Sequence, residues 1–155
     1  AYTIGMLLAE RGLLNDNNVR ITASDLSRRV IEIGERGVYG NSSFRTTEDS
    51  FKDKYFVVVG GNQRQAIDSL RDVIEFEQLN LINLDCDRKR GGYDVIFCRN
   101  VLMYFDAEAV NKTLNSFYSM LNEGGYVLLG HAESLLPKET CFKPVQFGRE
   151  YVHKR

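Results

Sequence analysis

The sequence predicts an α/β protein: a mostly parallel sheet with helices on both faces. Three observations predict it. Strand-like and helix-like patterns alternate along the chain, the candidate strands are short apolar runs bounded by turn residues, and several of those runs stop abruptly on polar side chains. The third pattern is what an open α/β sheet shows where a ligand sits beyond its strand ends.

The totals allow this reading. The 155 residues suffice for one domain with a proper core, and 43% hydrophobic with 26% charged residues is ordinary globular composition. A net charge of −1 argues against nucleic acid as a partner, because non-specific affinity for phosphates needs clustered cations. It leaves room for a small basic pocket. No apolar run is long enough to span a bilayer and no signal-peptide pattern is present, so direct membrane insertion is not expected. Cys86, Cys98 and Cys141 are widely spaced without a CxxC, which reads as buried thiols in a reducing, cytoplasmic compartment. His131 and His153 stand too far apart, with too little company, for a metal site.

The elements follow in order. Ile4, Leu7 and Leu8 recur at helical spacing, so a helix begins almost at Ala1 with nothing before it to cap it. That start reads as a segment cut from something longer. "NDNN" (Asn15 to Asn18) is a loop. In "VRITASD", Val19, Ile21 and Ala23 alternate with polar neighbours and Asp25 ends the run, which is a strand. Ser27 is the expected N-cap of a short helix carrying Val30, Ile31 and Ile33, limited by Gly34 and Gly37. The polar stretch from Val38 to about Asp72 is too long for an unstructured loop and should fold locally, with a hairpin at Gly60-Gly61. "VIEFEQLNL" places Ile74 and Phe76 on one face of a strand that ends near Asn80 and Leu81. After a Gly91-Gly92 turn, Tyr93 to Cys98 is a buried strand that stops on Arg99 and Asn100. Asp106 caps a helix whose apolar face is Val110, Leu114, Phe117, Tyr118 and Leu121, and Gly124-Gly125 should end it. "YVLLGHAES" is another buried strand, and Phe142 to Phe147 with Tyr151 to His153 form a closing hairpin.

Asp25, Asn80 and Arg99-Asn100 each sit at a strand end and should converge on one edge of the sheet. Each suits a job. An Asp at such a position can accept hydrogen bonds from both ribose hydroxyls, Asn80 can read an adenine edge, and Arg99 can grip a carboxylate with two bonds. Taken singly, Asp25 can be a helix cap, Asn80 a turn residue and Arg99 half of a surface ion pair. Composition does not choose among nucleotide ligands.

"YDVIFCRNVLMYFD", followed after one amphipathic helix by "LNEGGYVLLGHAESL", closely resembles the chemotaxis receptor methyltransferases, the CheR family. "ITASDLS" and "VIEFEQLNL" fit the same family in the same order, so the resemblance covers essentially the whole chain, residues 1–155. It implies a class I, Rossmann-like methyltransferase sheet using S-adenosylmethionine and releasing S-adenosylhomocysteine. The substrates it implies are glutamate side chains in the cytoplasmic domains of methyl-accepting chemoreceptors, converted to methyl esters for signal transduction. By the resemblance, Asp25 holds the ribose, Asn80 and Leu81 lie at the adenine, and Arg99 and Asn100 lie near the amino-acid part of the cofactor. The segment from about 38 to 72 matches a small antiparallel β-subdomain that in some members docks a receptor tail peptide. A carboxylate acceptor is already ionised at neutral pH, so no catalytic base is assigned; for His131 and Tyr104 a structural role is an equal reading.

The resemblance also implies a helical domain, a first strand and a loop of the type "GCSTGEE" ahead of Ala1, none of which this sequence contains. That strand would lie at the sheet's centre, between the strand at Ile21 and the strand at Val95. The expectation is therefore a sheet lacking its first strand, in a fragment that is inactive or that self-associates to complete the sheet. Two other readings stand beside the main one. A small-molecule methyltransferase is one; amine and nucleobase targets fit less well, since the Asn-Pro-Pro-aromatic motif is missing. The other is a non-catalytic receptor-binding module with the same fold.

Overall fold

A computed structural model of the chain describes residues 1–14, 19–84, 92–130, 133, 140–148 and 150–155. The expected Asn15–Asn18 loop, Gly91, Cys86, His131 and Ser134 lie outside the described residues. Two units divide the chain, Ala1–Asn80 and Leu81–Arg155.

In the first unit, helix α1 (Tyr2–Glu10) precedes strand β1 (Ile21–Asp25), helix α2 (Arg28–Arg36) and a small sheet. That sheet comprises β2 (Val38–Gly40), β3 (Phe56–Gly60) and β4 (Gln63–Ala66) in the order β2-β4-β3, all antiparallel. A 3-10 turn over Asn41–Phe44 and helix α3 (Asp49–Tyr55) lie between β2 and β3. The β3–β4 hairpin turns at Gly61, which holds φ of 51° where a side chain would be strained. Helix α4 (Asp68–Arg71) leads into β5 (Ile74–Gln78), which pairs in parallel with β1. The core of this unit is Tyr2, Met6, Tyr55, Phe56, Ala66, Leu70 and Ile74, with Phe76 packed against it. The Tyr2 ring meets those of Tyr39, Phe56 and Phe76 at centroid separations of 5.8, 6.3 and 5.9 Å, and its hydroxyl donates to the Gly34 carbonyl at 2.9 Å.

Several local expectations change. On α1 the buried residues are Tyr2, Gly5 and Met6, and Leu7 is exposed, because Gly5 lets the helix approach Leu70. Gly34 does not limit α2; it lies inside it. A Cβ there would stand 2.3 Å from the Phe76 ring, so glycine is what permits helix and strand to touch. Gly37 alone terminates α2, in the left-handed conformation at φ of 64°. Ser27 occupies the N-cap, but its hydroxyl makes no capping bond.

In the second unit a 3-10 turn (Leu81–Asn83) precedes β6 (Tyr93–Cys98), a second 3-10 turn (Leu102–Tyr104), α5 (Ala107–Met120), β7 (Leu121–Leu129), β8 (Lys143–Phe147) and β9 (Glu150–Lys154). The strand order is β6-β7-β9-β8, with β6 and β7 parallel and the last two pairings antiparallel. Asp106 caps α5 as expected, accepting from the Ala109 amide at 2.8 Å. Gly124 and Gly125 do not end that helix. It stops at Met120, and both glycines belong to β7, where the residues from Asn122 to Gly125 bulge opposite Asp94. Gly124 supplies φ of 80°, and a Cβ on Gly125 would stand 3.0 Å from the Asp94 carbonyl oxygen. Asn122 Nδ2 pins the bulge by donating to Asp94 Oδ1 at 2.9 Å and to the Gly92 carbonyl at 3.0 Å.

The parallel pairs β1/β5 and β6/β7 are the α/β frame expected. Among the described residues, β1 pairs with β5 alone and β6 with β7 alone. Among the described residues of the second unit β6 is an edge, and it is less buried than its composition suggests: Cys98 is buried, but Val95 is 42% and Phe97 50% exposed. Cys141 is exposed as well, so the expectation of uniformly buried thiols fails there.

Candidate functional site

In the first unit the parallel register aligns Asp25 with Gln78, so β1 and β5 present their carboxyl ends side by side. The junction is fastened on both strands. The Leu79 amide donates to the Asp25 carbonyl at 3.0 Å, and Gln78 Nε2 donates to the Leu26 carbonyl at 2.9 Å. Asp25 is half-buried, and its Oδ1 accepts the Ser27 amide at 2.8 Å. This Asx-type turn fixes the carboxylate at the strand end instead of letting it swing, so the capping and ligand-facing readings of Asp25 are compatible. Asn80 is exposed two positions beyond Gln78, on the neighbouring strand's exit.

In the second unit the described counterpart is the exit from β6. Arg99 and Asn100 are both exposed, and Arg99 forms no ion pair among the described residues. Asn100 has φ of 60°, the left-handed region, and no other described non-glycine residue does. Leu81 opens the 3-10 turn that precedes the strand, and its carbonyl accepts the Thr113 hydroxyl at 3.4 Å.

The left-handed turn is held by a residue the sequence reading did not single out. Glu133 is 8% exposed, and its carboxylate accepts four backbone amides. Oε2 takes Asn100 at 2.7 Å and Gly130 at 2.8 Å; Oε1 takes Val101 at 2.6 Å and Met103 at 3.3 Å. Burial raises the carboxyl's pKa, but the four donors outweigh it and hold it below the usual carboxylate range. Its charge reaches the buried Cys98, whose thiol is pushed up to about 12, first by burial and then by Glu133. Cys98 is thus a protonated core thiol at neutral pH, not a nucleophile. Gly130 completes the arrangement, since a Cβ there would stand 2.7 Å from both Asn100 Oδ1 and Glu133 Oε2. The exits of the parallel neighbours β6 and β7 are thereby locked to each other. Nothing but its place in "GHAES" marked Glu133 in the sequence, because a lone acid after a strand ordinarily reads as surface.

Tyr104 ends the 3-10 turn after β6 and is 79% exposed. His131 lies outside the described residues. The structure thus brings Asp25 and Asn80 to one pair of strand ends, and Arg99 and Asn100 to another.

Parallel strand pairs with polar residues at their carboxyl ends, in each unit, fit a class I S-adenosylmethionine-dependent methyltransferase domain. The family model described as CheR methyltransferase, SAM binding domain, matches residues 1–151, and the chain belongs to that family. Chemotaxis protein methyltransferase 2 of Vibrio cholerae is 35% identical over 96% of this chain and 52% of its own length. The chemotaxis protein methyltransferase of Vibrio parahaemolyticus is 35% identical over 99% of this chain and 56% of its own. The probable biofilm formation methyltransferase WspC of Pseudomonas aeruginosa is 32% identical over 99% of this chain and 36% of its own. The chain spans about half the length of the chemotaxis relatives it matches.

Proposed function

We propose that the protein carrying this chain methylates glutamate side chains in the cytoplasmic domains of chemoreceptors, working in the cytoplasm with S-adenosylmethionine. The observation that carries the reading is the family match across residues 1–151, with relatives named chemotaxis protein methyltransferase.

The residues present fit the cofactor. Asp25, anchored by the Ser27 amide, offers an acceptor at the end of β1 suited to a ribose diol. Asn80 and Leu81 follow β5 and would take the adenine, the first by hydrogen bonds and the second by apolar contact. Asn100, held left-handed, and the exposed cation of Arg99 would take the polar amino-acid part. Only a glycine at 130 admits Asn100 Oδ1 and the Glu133 carboxylate so close to the end of β7, and that packing supports the Asn100 turn. Bound there, S-adenosylmethionine supplies an electrophilic methyl group on a sulfonium, which an ionised glutamate can accept without a general base. The chain's own residues then contribute positioning and exclusion of water, effects that reach effective molarities of ~10⁵ M or more in well-aligned systems.

The small antiparallel sheet supports a partner role. Strand β3 is one of its two edges, pairing among the described residues with β4 alone, and Val57, Val58 and Val59 on it are all exposed. Such an edge suits an extended peptide added as a further strand, and a receptor tail is the occupant we assign to it.

The test is transfer of labelled methyl from S-adenosylmethionine to receptor cytoplasmic fragments by the full-length protein. Base-labile label on glutamate supports the reading. Transfer to a small metabolite with none to any receptor overturns it in favour of a metabolite methyltransferase. Cofactor binding with no transfer at all overturns it in favour of a binding module.

A further inference from the structure

We infer that Glu133 is a positioning residue for the cofactor, acting through Asn100: its carboxylate holds the exit of β6 in the one shape that presents Asn100 to the ligand. The inference rests on the assignment of Asn100 to the cofactor, and goes beyond it by giving that residue's conformation a cause.

The backbone at Asn100 is strained. A non-glycine residue at φ of 60° is disfavoured and persists only where its surroundings impose it. Asparagine tolerates this better than most residues, but tolerance does not select the conformation. Here the selection is visible. The Asn100 amide, and those of Val101 and Met103 just after it, point at one carboxylate. Successive amides converge in this way only when the chain curls around an acceptor, as it does around anions. The acceptor belongs to the protein and arrives from the exit of the adjacent strand, so no ligand is needed to form the curl. Glu133 also accepts the Gly130 amide, which ties the curl to the end of β7.

Both oxygens are used twice, and this makes the charge as necessary as the shape. Glutamine has the same length but one acceptor oxygen. Its NH₂ would face two backbone N–H donors and satisfy neither, leaving buried donors unpaired. Aspartate keeps the charge but is one methylene short, so it reaches part of the set.

The expected result for Glu133→Gln in the full-length protein is a loss of at least tenfold in affinity for S-adenosylhomocysteine, measured by calorimetric titration. Glu133→Asp should lose less. Because the effect runs through Asn100, the double variant Glu133→Gln/Asn100→Ala should bind no more weakly than Asn100→Ala alone. Leu114→Ala, a buried core change in the same unit, should lower the thermal midpoint with affinity preserved, which separates positioning from general destabilisation. Amide hydrogen exchange reads the tether without any ligand: protection at Asn100, Val101, Met103 and Gly130 should fall in Glu133→Gln and survive in Leu114→Ala. Exchange that stays slow in Glu133→Gln, affinity within twofold of the parent, or losses that multiply in the double variant would each overturn the inference. If the parent itself binds no cofactor, the functional reading fails, and the positioning role falls with it even where the exchange data uphold the tether.

Discussion

Gly130 and Asn100 fit each other by omission: a Cβ on Gly130 would stand 2.7 Å from Asn100 Oδ1 and 3.2 Å from the Asn100 amide nitrogen. The vacancy of one side chain is the seat of the other. Gly130→Ala should therefore displace the Asn100 amide group and crowd Glu133. Overpacking of this kind costs about 1–3 kcal/mol. The expected outcome is a lower thermal midpoint together with a cofactor affinity reduced at least tenfold; unchanged affinity in calorimetry would refute the packing argument.

Gly34 presents the same logic away from the strand ends. A Cβ there would stand within 3 Å of three atoms of the Phe76 ring, which is packed into the core between α2 and β5. Gly34→Ala should destabilise the first unit by about 1–3 kcal/mol despite alanine's better helix propensity. The paired variant Gly34→Ala/Phe76→Leu should recover part of that loss. Chemical denaturation of the two variants checks this, and a stabilised Gly34→Ala would contradict the close packing.

Asp25 separates binding from stability. The one bond its carboxylate makes among the described residues, from the Ser27 amide, is exposed and worth about 0.5–1.5 kcal/mol at most. Asp25→Ala should hence change the thermal midpoint little while weakening S-adenosylhomocysteine at least tenfold. Asp25→Asn keeps the turn but can offer the ribose only one good acceptor, and it should fall between. Equal affinity in all three proteins would remove Asp25 from the site.

His153 makes stability depend on pH. It is buried on β9 opposite Val127, and desolvation holds its pKa below the ordinary 6.5. The unfolded chain therefore takes up a proton that the folded chain resists. Stability is full above about pH 6.5 and declines as pH falls through that value toward the folded pKa, with a slope of at most about 1.4 kcal/mol per pH unit for one group. His153→Gln should flatten this part of the profile. A parent protein equally stable at pH 5 and 7.5 would count against the assignment. The carboxyl of Glu133 is depressed too, so its contribution is present above the ordinary carboxylate range and is lost only in stronger acid.

The frame was legible because the signals that carry it are local. The alternation in Ile21 to Asp25, the apolar run of Tyr93 to Cys98 and the Asp106 cap are each written within a few residues. The errors lie where a residue answers to a distant partner. Gly34 reads as a helix stop until Phe76 is seen against it. Gly124 and Gly125 read as a helix terminator until β6 is laid beside them. Val95 and Phe97 read as core, and are exposed: at alternate positions they share one face of β6, while Cys98 on the opposite face is buried. For the proposed site, strand-end position was the sequence signal for Asp25, Asn80, Arg99 and Asn100, and each lies at or just beyond the end of a strand. Glu133 was missed because three of its four backbone contacts lie thirty or more residues away, which no spacing in the sequence encodes.

The bulge of β7 at Asn122 to Gly125 has a consequence for how the strand is indexed. Beyond it, Tyr126 to Leu129 run in step with Val95 to Cys98, so Gly130 emerges beside the turn at Arg99 and Asn100. Slack taken up at one end of the strand sets the phase at the other. Removing a single residue such as Glu123 would shift that phase by one, turn the fully buried Val127 outward and carry Gly130 out of reach of Asn100. The bulge works like a vernier: its length sets which amino acids meet where the strands end, and Asn122, Gly124 and Gly125 hold it at that length.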